Sequence, residues 1–127
     1  MVAALLVLLA AQTKNFKGEI VPNPVPPKIG EYTLYFTYNA KYTYFGVLVI
    51  KNKTVYGFKS HPKNPIATGT YVYKGGKAQF LTGPYKGQAA LFTIEKGVYG
   101  VEMDVRTKKN PRGSLLLGTI DGPKKRS

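Results

Sequence analysis

One histidine occurs in this chain of 127 residues, and it has no chemical company. His61 lies in the stretch KSHPKNPIAT (59–68) beside Lys59 and Lys63, and no carboxylate occurs between Glu31 and Glu95. A metal centre or a catalytic triad needs several such groups in one place, so His61 reads as an exposed loop residue. The absence of cysteine excludes disulfides, thiolate metal sites, iron–sulfur clusters and a cysteine nucleophile. Glu102 and Asp104 fall on the same side of an alternating segment, about 7 Å apart, which suits paired acid–base carboxylates. Arg106 follows on that side, and a solvated row of ion pairs is the simpler reading. Gly75-Gly76 and the glycines of 97–100 sit inside hairpins and do not precede a helix, so they form turns and cradle no phosphate. Asn52-Lys53-Thr54 fits an N-glycosylation acceptor but occupies a tight turn. No catalytic, cofactor-binding or metal-binding residue is expected, and the protein reads as a non-enzyme.

The stronger signal is charge. Nineteen Lys and Arg stand against six Asp and Glu, a formal charge of +13, which calls for an acidic partner: nucleic acid, anionic lipid, an acidic polymer or an acidic protein face. Lys51, Lys53, Lys74, Lys77, Lys86, Lys96, Lys108, Lys109 and Arg112 all fall at expected turns, and alternate turns of a meander share one end of a sheet. A basic rim is the expected result, extended by the tail Lys124-Lys125-Arg126. Ten tyrosines without a tryptophan are the other oddity, with Tyr32, Tyr35, Tyr38, Tyr42 and Tyr44 inside thirteen residues. A solvent-facing subset of them would stack on bases, sugars or a partner's side chains; the plainer alternative is packing in a small core with the hydroxyls left wet.

Those groups need elements to hold them. From Glu31 onward the apolar period is two and the breaks are Gly, Asn and Pro, which predicts an all-β domain. Strands are expected at 32–38, 43–50, 54–58, 69–74, 78–82, 88–95, 98–106 and 114–120, an antiparallel meander of about seven to eight strands closing as a barrel or stacking as a sandwich. In the seventh, Tyr99, Val101, Met103 and Val105 should be dry, whereas the second, with Phe45, Val47 and Val49 against Tyr44, Leu48 and Ile50, should be covered on both sides. Gly75-Gly76 suits a two-residue turn with both φ angles positive, Lys51-Asn52-Lys53 a three-residue loop with a left-handed Asn, and Lys96-Gly97 a third reversal. The stretches 46–58 and 69–83 echo each other as strand, Lys-flanked turn and strand, a hairpin repeat within one domain.

Ahead of the β domain (31–120) lie an apolar segment (1–13) and a linker (14–30); a basic tail (121–127) follows it. The run VAALLVLLAA (2–11), with Val2, Leu5, Leu6, Leu8 and Leu9, is ten residues long, half of what a membrane span needs. No Lys or Arg precedes it and Leu9 occupies the small-residue position before a cut after Ala11, so the signal-peptide pattern is incomplete. An uncleaved docking peg, a retained signal, and a strand or helix on its own domain all remain open. Ile20 to Gly30 (IVPNPVPPKIG) contains Pro22, Pro24, Pro26 and Pro27, which predicts an extended polyproline-like spacer.

The residues Gly69-Thr-Tyr-Val-Tyr73, Phe80-Leu-Thr-Gly-Pro84, Gly87 and Leu91-Phe92 resemble a hairpin pattern, G-x-Y-x-Y followed by apolar-x-x-G-P-x-x-G, of small bacterial exported β-domain proteins. The likeness covers roughly 42–105 and implies an all-β fold and a cell-envelope setting, with no active-site residues to carry over. The reading that uses every part is an accessory or structural subunit of a membrane-associated assembly on the periplasmic or extracellular side. It would dock by the apolar segment and by a basic domain against an acidic protein or lipid surface, with no small-molecule substrate. A nucleic-acid-binding β domain of ribosomal or single-strand-binding type, which would be cytoplasmic, is the alternative, and an exported polysaccharide-binding module is the third.

Overall fold

Alternating apolar residues and short Gly-rich reversals leave this chain little choice but to pair each strand with the next. The computed structural model describes residues 13–21, 23–38, 41–105 and 115–120. Ten strands form: β1 (Thr13–Lys14), β2 (Ile20–Val21), β3 (Gly30–Tyr38), β4 (Lys41–Ile50), β5 (Val55–Lys59), β6 (Ala67–Lys74), β7 (Lys77–Phe80), β8 (Ala89–Glu95), β9 (Val98–Asp104) and β10 (Leu115–Ile120). β1 and β2 make a small hairpin, while β3 to β10 form a closed barrel in which every neighbour is antiparallel and β10 pairs with both β9 and β3. Each of the eight expected strands is present, and the choice between barrel and sandwich falls to the barrel.

An eight-stranded barrel has an interior that side chains can fill or that can hold one small ligand, and aromatic rings fill much of this one. Tyr56 stacks on Phe80 at 4.3 Å between centroids, Phe58 meets Tyr85 edge-on at 5.1 Å, and Tyr32 meets Phe92 edge-on at 5.2 Å. Leu34, Leu48, Ile50, Met103 and Leu116 complete the buried set. Tyr99, Val101, Met103 and Val105 face this core, as their alternation requires. Three inward tyrosines use their hydroxyls to hold the loops that close the barrel ends: Tyr32 donates to the Lys28 carbonyl (2.8 Å), Tyr71 to the Asn52 carbonyl (2.7 Å) and Tyr56 to the Thr82 carbonyl (2.8 Å). Such a ring buries its body and still satisfies its polar atom.

The reversals follow their chemistry, with one correction. Gly75 and Gly76 both have positive φ (66° and 81°), and Lys96-Gly97 does the same (51° and 80°), so both are the hairpin turns whose twist matches the strands. Asn52 is not left-handed. Its side-chain oxygen instead accepts from the backbone N–H groups of Thr54 (2.9 Å) and Val55 (2.8 Å), which turns the chain without positive φ. The glycines of the G-x-Y-x-Y and L-T-G-P segments also have a mechanical reason. Gly69 faces Gly83, and a Cβ on Gly69 would overlap the Thr82 carbonyl. Thr70 N–H donates to Thr82 Oγ1 at 2.8 Å beside this contact.

The strand β4 departs from simple alternation. Leu34 pairs with Gly46 and Tyr35 with Tyr44, leaving Phe45 unpaired as a bulge. Phe45 therefore joins the core cluster together with Leu48 and Ile50, which the uninterrupted pattern assigns to opposite faces. Val47 on the outer face is also buried, whereas Tyr44 is exposed and Val49 half-buried, so the expected cover on both sides is met only in part and the membership of the faces changes.

Two outcomes follow. Gly69→Ala should destabilise the barrel by about 1–3 kcal/mol, measured by urea unfolding, because neither the Thr82 carbonyl nor Gly83 can move without opening the turn. Burial pushes the Tyr32 and Tyr85 hydroxyls from 10.0 up to about 12. Between those two values the unfolded chain loses these protons while the folded chain keeps them. Stability owed to the neutral phenols is thus complete below pH 10 and lost as pH rises toward 12. The urea midpoint should drop across that window, and the Tyr32→Phe/Tyr85→Phe double variant should drop less steeply.

Candidate docking surface

A packed interior sends any binding function to the outside, and the topology sorts the outside into two ends. Connections of a closed meander alternate, so β4–β5 (51–54), β6–β7 (75–76) and β8–β9 (96–97) lie together at one end, here the near end. β5–β6 (60–66) and β7–β8 (81–88) lie at the far end. Lys51, Lys53, Lys74, Lys77 and Lys96 are all placed at the near end, and the first two and Lys74 and Lys96 are exposed. Lys77 is half-buried, with its ammonium 4.9 Å from the centroid of the Phe16 ring, so it serves the internal packing as much as the rim. Lys86 belongs to the far end, with His61 and Lys63. His61 is exposed there, its Nδ1 accepting from the Lys63 N–H at 3.2 Å. Among the described residues Lys59 is ion-paired to Glu31 at 3.8 Å. Lys108, Lys109, Arg112, Lys124, Lys125 and Arg126, and the apolar Val2, Leu5, Leu6, Leu8 and Leu9, lie outside the described residues.

The Pro-rich segment is extended, yet it is no free spacer. β7 is short and pairs with β8 only at Ala78–Ala90 and Gln79–Ala89, so the backbone of β8 beyond that point lacks a neighbour on this side. Pro24 forms a bridge with Thr93, the Val25 N–H donates to the Phe92 carbonyl at 2.9 Å, and the Val25 side chain packs on the core. A proline-flanked segment can fill such a gap because one N–H suffices. The hairpin ahead of it is fastened as well. Thr13 is buried against Gly76, where a Cβ would collide with its hydroxyl, and the Phe16 N–H donates to Glu102 at 3.4 Å. Glu102 thereby contacts this arm, while Arg106, the last member of the expected ion-pair row, lies outside the described residues. Leu91 points outward in register with Glu102 but is only 3% exposed, as a residue under cover must be.

The folded arm adds cations that spacing alone did not assign to the rim. Lys28 is exposed and holds its ammonium 4.7 Å from the centroid of the Tyr99 ring, at the near end; Lys14 follows Thr13 there. The signal was Val25, an isolated apolar residue among prolines that an exposed strut would not need. The arm also brings Glu19, whose carboxylate accepts from the Asn15 side chain at 2.9 Å, and the near end contains the exposed Glu95.

The tyrosine cluster divides. Tyr32 is fully buried and cannot stack on a partner, because its register places it inward with Leu34. Tyr35, Tyr42 and Tyr44 face outward, since the bulge at Phe45 turns the two β4 tyrosines away from the core; Tyr42 is 76% exposed and Tyr35 meets Tyr44 edge-on at 6.0 Å. The Tyr38 side chain is outside the described residues. Tyr35, Tyr42, Leu117 and Thr119 line an open groove of about 560 Å³. Burial raises the Tyr44 hydroxyl above its ordinary value, with Tyr35 adding to the shift. Tyr42 lies toward the far end of β4 and Lys51 follows its near end, about 30 Å away at the rise of a strand.

Among the described residues no group of three or more His, Asp or Glu is placed to hold a metal ion. No protein family, no characterised protein and no solved structure matches the chain. The functional reading therefore rests on the geometry. The arm's attachment gives one check on that geometry: Val25→Ser should loosen the segment, so that trypsin cuts at Lys17 and Lys28 much faster than in the parent chain while the β circular dichroism is retained.

Proposed function

We propose that this protein is a non-enzymatic accessory or structural subunit of a membrane-associated or cell-envelope assembly, seated by its near end on an acidic partner surface. The observation that carries this reading is where the chain enters the domain. Thr13 is buried at the β6–β7 turn, so whatever precedes it, including the apolar run 2–11, joins the barrel at the end that presents Lys14, Lys28, Lys51, Lys53, Lys74 and Lys96. The apolar run 2–11 read from the sequence and a cationic rim would be two attachments that together hold a protein on a membrane or membrane-bound host, where either alone is weak.

Each lysine near an anionic surface contributes about 1 kcal/mol. The Lys51→Glu/Lys53→Glu/Lys96→Glu variant should therefore bind its native membranes about a hundredfold more weakly, measured by sedimentation with the membrane fraction at rising salt. Lys63→Glu/Lys86→Glu at the far end should leave binding within a few-fold of the parent. Equal loss from both ends would overturn the end-on reading.

A further inference from the structure

The near end carries more than charge. Ile29 is 62% exposed and Val98 is 50% exposed, and both sit at this end, Ile29 just before β3 and Val98 at the start of β9 beside the Lys96-Gly97 turn. Lys28 reaches to the ring of Tyr99, and Ile29 and Val98, at the ends of strands separated by β10, share one rim. Gly30 pairs with Ile50, so Lys51 stands next to Ile29. Two aliphatic side chains in open water, flanked by Lys28, Lys51 and Lys96, form an amphipathic rim. Lys14, Lys28, Lys51, Lys53, Lys74 and Lys96, the cations placed at this end among the described residues, are hydrated point charges suited to diffuse attraction. Nucleic acid would gain from the lysines and nothing from the exposed Ile29 and Val98.

We infer that the near-end rim is a lipid-contact face for an anionic bilayer, with Ile29 and Val98 entering the headgroup boundary and the lysines meeting the headgroups. This rests on the docking reading above and names its partner. The two aliphatic residues bury apolar area on contact while the surrounding ammonium groups stay at the headgroup level, the division of labour of interfacial proteins. The barrel would then stand on its near end, with the Tyr35–Tyr42 groove turned away from the lipid.

The chain has no cysteine, so single cysteines can be labelled without a background. Full-length Ile29→Cys, Val98→Cys and Leu81→Cys, each with an environment-sensitive fluorophore, would be mixed with phosphatidylcholine vesicles with and without phosphatidylglycerol. The expected result is a blue shift and protection from iodide quenching at 29 and 98, only with the anionic lipid, and no change at Leu81 on the far end. Ile29→Asn/Val98→Asn in the full chain should weaken vesicle binding at least tenfold. Binding to the anionic vesicles with the shift at Leu81 instead, or at none of the three, would overturn the lipid-contact face while leaving membrane docking intact. Absence of vesicle binding, with the chain still recovered on native membranes through a protein host, would overturn the lipid partner alone. Absence of both would remove the docking reading as well.

Discussion

Everything in this protein depends on the last strand meeting the first. Pairing of Ile120 with Tyr32 and Leu117 with Tyr35 converts a meander with two open edges into a barrel with none. Closure fixes the diameter, and rings such as Phe80, Phe92 and Tyr56 fill the space it encloses. Side chains from outside the strands add to the same core, among them Tyr85 from the β7–β8 connection and Val25 from the arm. The interior is thereby filled largely by side chains.

Closure by such short strands has a cost at β7, which leaves part of β8 without a partner. The Pro-rich segment meets that need with one bridge and one hydrogen bond, and in doing so it brings Lys14 and Lys28 to the same end as the hairpin lysines. The concentration of charge at the near end is thus partly a by-product of repairing the barrel wall. The bulge at Phe45 does the same for the outer face, since one unpaired residue is what moves Tyr42 and Tyr44 out of the core.

The strands were legible because their determinants are local. Alternation in β9, the doublet Gly75-Gly76 and the Lys96-Gly97 pair state their conformations within a few residues, and the meander follows from short connections. The bulge was not legible, because a single unpaired residue leaves a pattern of apolar residues that still reads as alternation until the partner strand is known. The inward position of Tyr32 and the outward position of Tyr44 depend on that register. The folding back of the arm was hidden for a related reason: the vacancy that Val25 fills is created by the shortness of β7, some fifty residues later in the chain. Near-end clustering of Lys51, Lys53, Lys74 and Lys96 could be read in advance because alternate turns of any meander coincide.

The arm also decides how the protein would respond to force. A load applied at the N-terminal side reaches Thr13 first and meets a two-residue hairpin and a handful of contacts at Gly76 and Glu102. The next resistance is the single bridge at Pro24, and the barrel ladders come last. Peeling the arm would release about 3.1 Å of extended chain for each residue freed, so the attachment would lengthen in steps, as a shock absorber does, while the barrel stayed folded behind it.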